Sequence, residues 1–171
     1  MKQKIESHKE MKATDVVDLY IELGKMGIEI WIDGGWAVDA LLGKQTRSHE
    51  DLDIAIEHKN IPRLRKYLES QGFIEIERDE EKKWDIVLGD DNGHEIDVHG
   101  FSFDDNGHII KESHWAGYEE ESLSGSGIIN RIKVRCASFE QLLKTHDGTK
   151  RKLKEKDYKD MDALRMKFEK L

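Results

Sequence analysis

Gly34-Gly35-Trp36-Ala37-Val38-Asp39-Ala40-Leu41-Leu42-Gly43 is followed, two residues on, by Thr46-Arg47-Ser48-His49-Glu50-Asp51-Leu52-Asp53. Leu52, Ile54 and Ile56 recur at every second position, which predicts a strand whose side chains alternate between two faces. Asp51 and Asp53 then lie side by side on the face opposite the apolar one. Two carboxylates so placed repel each other unless positive charge sits between them. A divalent metal supplies it, because hard cations take oxygen ligands from one or two carboxylates plus substrate phosphates. Asp-x-Asp on an amphipathic strand is, alone, an ordinary solvated sheet face. The glycine pair upstream changes the weight. Glu29–Asp33 also alternates, and Trp36 to Leu42 reads as a buried helix ending at Gly43. Glycines between a strand and a helix let backbone N–H groups approach a phosphate at the positive end of the helix.

Working outward, 171 residues are enough for one domain with a real core, and the reading is a single domain over 1–171. Charged residues make up 37% and the net charge is −8, which argues against a nucleic-acid backbone as partner, since that needs clustered positive charge. The single cysteine, Cys136, excludes an internal disulfide and a thiolate zinc cluster, and it reads as filling a strand position. With no apolar run of membrane-spanning length and no hydrophobic leader, the sequence reads as cytoplasmic, without membrane contact.

Residues 1–12 are polar and are expected to fray. Val16, Leu19, Tyr20 and Leu23 predict a helix from Ala13 to Met26, and Asn60-Ile61-Pro62 opens another with Ile61, Leu64 and Leu68 inward. Phe73 to Glu77, then Trp84, Ile86 and Leu88, then Glu95 to His99 predict an antiparallel meander around the turn Gly89-Asp90-Asp91-Asn92-Gly93. In the last of these, Ile96 and Val98 point inward while Glu95, Asp97 and His99 share the other face. Residues 111–130 read as an ordered loop with a flexible glycine–serine tip, and 132–135 as a strand. Ser138 to Gln141 is a capping box. The last helix is expected to pack through Tyr158, Met161, Leu164, Arg165 and Phe168, within a helical C-terminal part over 138–171.

Asp51, Asp53 and Asp97 thus sit on polar faces of two strands. If the strands are neighbours, the three can hold a pair of divalent ions suited to in-line displacement at phosphorus. Gly34 and Gly35 would hold the phosphate tail, within reach of Arg47 and His49.

The Gly34–Gly43 block, the Thr46–Asp53 block and Ile132-Lys133-Val134-Arg135-Cys136 resemble small bacterial antibiotic nucleotidyltransferases. The groups most similar are the aminoglycoside 2''-adenylyltransferases and the short lincosamide nucleotidyltransferases, within the DNA polymerase β-like superfamily. The resemblance implies an α+β fold, a mixed twisted sheet flanked by helices. It implies a nucleoside triphosphate donor such as ATP, and Mg2+ (two ions) on carboxylates matching Asp51, Asp53 and Asp97. It also implies transfer of a nucleoside monophosphate to a drug hydroxyl with release of pyrophosphate. Asp97 would lie nearest the acceptor hydroxyl, as general base or as holder of the ion that acidifies it. Triphosphate contacts map to Arg47 and His49, with Lys150 or Lys156 as late phosphate ligands and Lys156 the one assigned. Asp157 and Asp160 would orient a basic residue or face water, and His146 would point towards the site. Short relatives can pair around one acceptor cleft, so a homodimer is compatible with the resemblance.

Two other readings compete. The acceptor could be a tRNA or a protein, against which the acidic charge and the lack of a basic, aromatic surface both speak. The chain could be a nucleotide-binding module without catalysis, against which the intact carboxylate set speaks. The stretch 112–127 departs most from the family pattern and is where acceptor specificity is expected.

Overall fold

The computed structural model describes residues 7–77, 85–110, 117–149 and 151–169. Trp84, Lys150 and residues 111–116 of the 111–130 stretch, all singled out above, lie outside the described residues. The elements run α1 (Ala13–Lys25), β1 (Ile30–Asp33), α2 (Gly34–Leu42), β2 (Asp51–Glu57), α3 (Ile61–Ser70), β3 (Ile74–Glu75), β4 (Asp85–Gly89), β5 (Glu95–Phe101), β6 (Gly125–Ile129), β7 (Ile132–Cys136), α4 (Phe139–Thr145) and α5 (Glu155–Phe168).

The strands form one mixed sheet in the order β3-β4-β5-β2-β1-β7-β6. β2 runs parallel to β5, and β1 parallel to β7, while the remaining neighbours are antiparallel. Alternation then sorts the two faces. One takes Ile30 and Ile32 of β1, Leu52, Ile54 and Ile56 of β2, and Ile96 and Val98 of β5 into the main core. All five helices feed that core, through residues such as Leu23, Trp36, Leu64, Leu142 and Leu164. Each such fully buried aliphatic side chain stabilises the fold by roughly 1.5–3 kcal/mol relative to exposure. The other face carries Trp31, Ala55 and Phe101 in a second, smaller cluster with Tyr118 and Leu123. Nearer the other end of β2 and β5, that same face carries the acids.

The structure corrects three expectations. Residues 7–11 are pinned rather than frayed: the Lys9 amide donates to the Gly93 carbonyl, the Met11 amide to the His49 carbonyl, and Met11 is buried. The glycine–serine run is no loop tip but the edge strand β6, paired with β7 from Gly125 to Ile129. Gly127 is required there, because a Cβ would strike the Ala40 carbonyl of α2. Finally, α5 packs through Asp157, Asp160, Met161 and Leu164, while Tyr158 is 59% exposed and Arg165 faces solvent. Phe168 lies at the edge of that face, stacked on Phe139.

Candidate active site

The parallel pairing of β2 with β5 sets the site. Asp51 stands opposite Glu95, and Asp53 opposite Asp97. Antiparallel pairing of β1 with β2 adds Asp33 opposite Asp53, so a row of three carboxylate-bearing residues crosses three strands. Asp33 is held by this chain: its Oδ1 accepts from the Gly34 amide at 2.8 Å, capping α2, and its Oδ2 from the Tyr118 hydroxyl at 2.6 Å. Asp53 Oδ1 lies 3.0 Å from His99 Nε2. One oxygen from each of Asp51, Glu95 and Asp97 falls within 4.8 Å of the others.

This crowding shows in Asp51. Burial first, then the charges of Asp53 and Glu95, push its carboxyl up to about 7, although Lys156 and Arg47 pull the other way. A cation placed among these like charges would relieve the repulsion that displaces the carboxyl. Hard divalent cations fit this all-oxygen donor set.

α2 begins beside these acids. Gly34 has φ +60, and a Cβ on it would run into the Asp53 carboxylate. A Cβ on Gly35 would lie 2.5 Å from Arg47 Nη2 and 2.7 Å from His49 Nδ1. Both glycines therefore let the helix start, with its free N–H groups, close to charged side chains. Neither Arg47 nor His49 is a loose surface cation. Arg47 donates through Nε and Nη2 to the two oxygens of Asp160, at 3.3 and 2.9 Å. His49, 3% exposed, meets Asp39 Oδ2 through Nε2 at 2.6 Å and lies against the Trp36 ring. Thr46 donates to the other Asp39 oxygen at 2.6 Å.

Across a cavity of about 290 Å³, the acids face the segment between α4 and α5, with Arg151, Lys154 and Lys156 in the lining. Asp157 receives both Nη groups of Arg151, at 3.1 and 3.2 Å, and the Lys154 amide at 2.8 Å. Burial pushes the Asp157 carboxyl up, but these donors and the Arg151 charge outweigh it and hold it below the ordinary range. His146 lines the same wall, its Nδ1 donating to the Leu142 carbonyl and its Nε2 3.6 Å from Asp157.

The cleft thus gathers every assigned residue: Gly34, Gly35, Arg47, His49, Asp51, Asp53, Asp97 and Lys156 all line it. Sequence reasoning set Glu95 on the face of Asp97 without giving it a role, and missed the pairing of Asp33 with Tyr118, whose hydrogen bond spans 85 residues and left no local signal.

A glycine-started helix beside carboxylates on two neighbouring strands of a mixed sheet is the architecture of the polymerase β-like nucleotidyltransferases. Residues 15–164 match the model of the aminoglycoside-2''-adenylyltransferase family, and the chain belongs to that family of antibiotic-modifying enzymes. A lincosamide resistance protein of Staphylococcus haemolyticus is 30% identical over 144 residues, spanning 82% of this chain and 86% of that one. A 2''-aminoglycoside nucleotidyltransferase of Klebsiella pneumoniae is 28% identical over 116 residues, 68% of this chain but only 62% of the relative. Among solved structures, the lincosamide antibiotic adenylyltransferase LnuA, bound to lincomycin, superposes with a TM-score of 0.78 at 24% identity, covering 92% of this chain and 98% of that one. ANT(2'')-Ia in complex with adenylyl-2''-tobramycin gives 0.74 at 21% identity, covering 91% and 88%. At these identities the structural likeness speaks to the fold. Among the described residues, no helix is long and apolar enough to cross a membrane.

Proposed function

We propose that the protein transfers AMP from ATP, with Mg2+, to a hydroxyl of a small antibiotic of the lincosamide or aminoglycoside type. One observation carries this reading: the β2–β5 register that brings Asp51, Asp53 and Asp97 together beside the Gly34-Gly35 helix start.

Asp51, Asp53 and Asp97 would hold two Mg2+ ions, which when bound offset the triphosphate charge and acidify the acceptor hydroxyl. The rest is the work of this chain. The first amides of α2 meet phosphate oxygens at the positive end of the helix. Arg47 and His49 flank Gly35 and close the cradle, each fixed by its own aspartate. Lys156, near enough to Asp51 to act on its charge, supplies a point cation to the phosphate tail from α5. Asp97 accepts the acceptor's proton as the hydroxyl oxygen bonds to the α-phosphorus and the bond to pyrophosphate breaks. The drug would enter beside the 112–127 stretch, of which Tyr118 already reaches the cleft.

A cytoplasmic setting suits a nucleoside triphosphate donor and a single buried thiol, Cys136. A second chain completing the acceptor side would appear as a drug-dependent dimer in sedimentation. The decisive assay incubates the protein with Mg2+, ATP and a panel of lincosamides and aminoglycosides. Pyrophosphate release with one adenylyl mass added to a drug is expected; release of none with any acceptor would overturn the proposal. A tRNA-containing control reports a macromolecular acceptor instead.

A further inference from the structure

We propose that Glu95 is an additional cation ligand of the cleft and that, with Asp51 and Asp97, it lets this protein hold one divalent cation before any nucleotide binds. The inference rests on the metal-dependent reading above, and it concerns a residue outside the three carboxylates that the family resemblance marks.

The argument begins with the register. Because β2 and β5 are parallel neighbours, Asp51 faces Glu95 and Asp53 faces Asp97, giving four carboxylates in a two-by-two array. The array does not act as four equals. Asp53 is turned towards His99, with 3.0 Å between Oδ1 and Nε2. The oxygens that converge belong instead to Asp51, Glu95 and Asp97, all within 4.8 Å of one another. Ligand oxygens about 2.1–2.5 Å from a cation stand at most about 4–5 Å apart across it, so this spacing accepts a cation with side-chain adjustment alone.

The mounting is rigid. Leu52 and Ile96, which alternate with these acids, are 1% and 2% exposed, so the strands cannot shift without disturbing the core. Mg2+ sites in phosphoryl-transfer proteins commonly rely on one or two carboxylates and borrow the remaining charge from substrate phosphates. Three converging carboxylates reduce that dependence. The order of assembly changes accordingly: cation first on Asp51, Glu95 and Asp97, then the triphosphate, with Asp53 leaving His99 to complete the second position.

The test titrates metal-free protein with Mn2+, without nucleotide, and follows free Mn2+ by electron paramagnetic resonance. The proteins compared are wild type, Glu95→Gln, Glu95→Asp and Asp53→Asn. Wild type is expected to bind one Mn2+; Glu95→Gln should weaken it by about tenfold or more, Glu95→Asp by less, and Asp53→Asn by no more than about threefold, the scale on which ligand-sphere changes act. Should Glu95→Gln misfold by circular dichroism, Glu95→Asp carries the comparison. Equal affinity in wild type and both Glu95 variants, or a larger loss in Asp53→Asn, would overturn the inference. A final arm adds a non-hydrolysable ATP analogue. Mn2+ bound only in its presence overturns the Glu95 inference and leaves the transferase reading standing, whereas no Mn2+ bound even then overturns both.

Discussion

Two walls of one cleft are made of acids, and they treat charge in opposite ways. On the helical side, Asp157 in the lining, and Asp39 and Asp160 behind the lining residues His49 and Arg47, are almost fully buried, and each meets a basic side chain of this chain: Arg151, His49 and Arg47 in turn. On the strand side, Asp51 is crowded by Asp53 and Glu95, and its carboxyl is pushed up to about 7 while Asp157 is held below the ordinary range. The residue type is the same, so it cannot mark function alone. What distinguishes the walls is whether the chain supplies the compensating charge. Where it does, an aspartate is a fastener; where it falls short, as at Asp51, the remaining repulsion is what a bound cation would relieve under the proposed function.

The sharpest way to break this contrast is at the reaction itself. Asp97→Asn should lower kcat by about 10²- to 10⁴-fold while leaving the thermal midpoint unchanged or raised, because it removes a general base and one charge from a crowded set. A parallel loss of fold would count against that role. The helical side should respond in the reverse sense. Asp39→Ala strips the partner from buried His49 and should cost about 1–3 kcal/mol in urea denaturation, since it leaves a polar group buried without its mate. Asp160→Ala should follow closely and also raise the KM for nucleotide, by releasing Arg47.

Between the walls, Gly34→Ala should cost roughly 1–3 kcal/mol and weaken nucleotide binding, because φ +60 disfavours a side chain and the Cβ meets the Asp53 carboxylate. The pH dependence sharpens the comparison further. The Asp51 carboxyl is raised from the ordinary 3.8 to about 7, so across that interval the unfolded chain has released a proton that the folded one keeps. Stability of the metal-free protein should therefore fall as pH rises from about 4 to about 7 and level off above it. Denaturation of Asp51→Asn at several pH values should lack this component. The smallest effect belongs outside the cleft: breaking the exposed Lys159–Glu155 pair should change stability by less than about 0.5 kcal/mol.

Local rules carried the reading as far as they reach. Period-two alternation placed Asp51 and Asp53 on the polar face of one strand and Asp97 on that of another, and the glycine pair before an apolar run placed α2, because both patterns are written in consecutive residues; the β2–β5 pairing then joins the two faces. Ser138 likewise caps α4 by accepting from the Gln141 amide. What stayed hidden depends on distant partners. β6 has too little side chain to signal a strand, and its glycines answer to α2 and β7. The buried face of α5 contains two aspartates, which look solvent-facing until Arg47 and Arg151 are set against them. Lys9 and Met11 are fixed by carbonyls of Gly93 and His49, far along the chain.

The Arg47–Asp160 pair joins positions 113 residues apart, and Lys167 of the same terminal helix reaches back to the Leu41 carbonyl. A chain cut before Glu155 would consequently retain both the glycine-pair and the Asp-x-Asp motifs and still lack the brace that holds the Arg47 guanidinium.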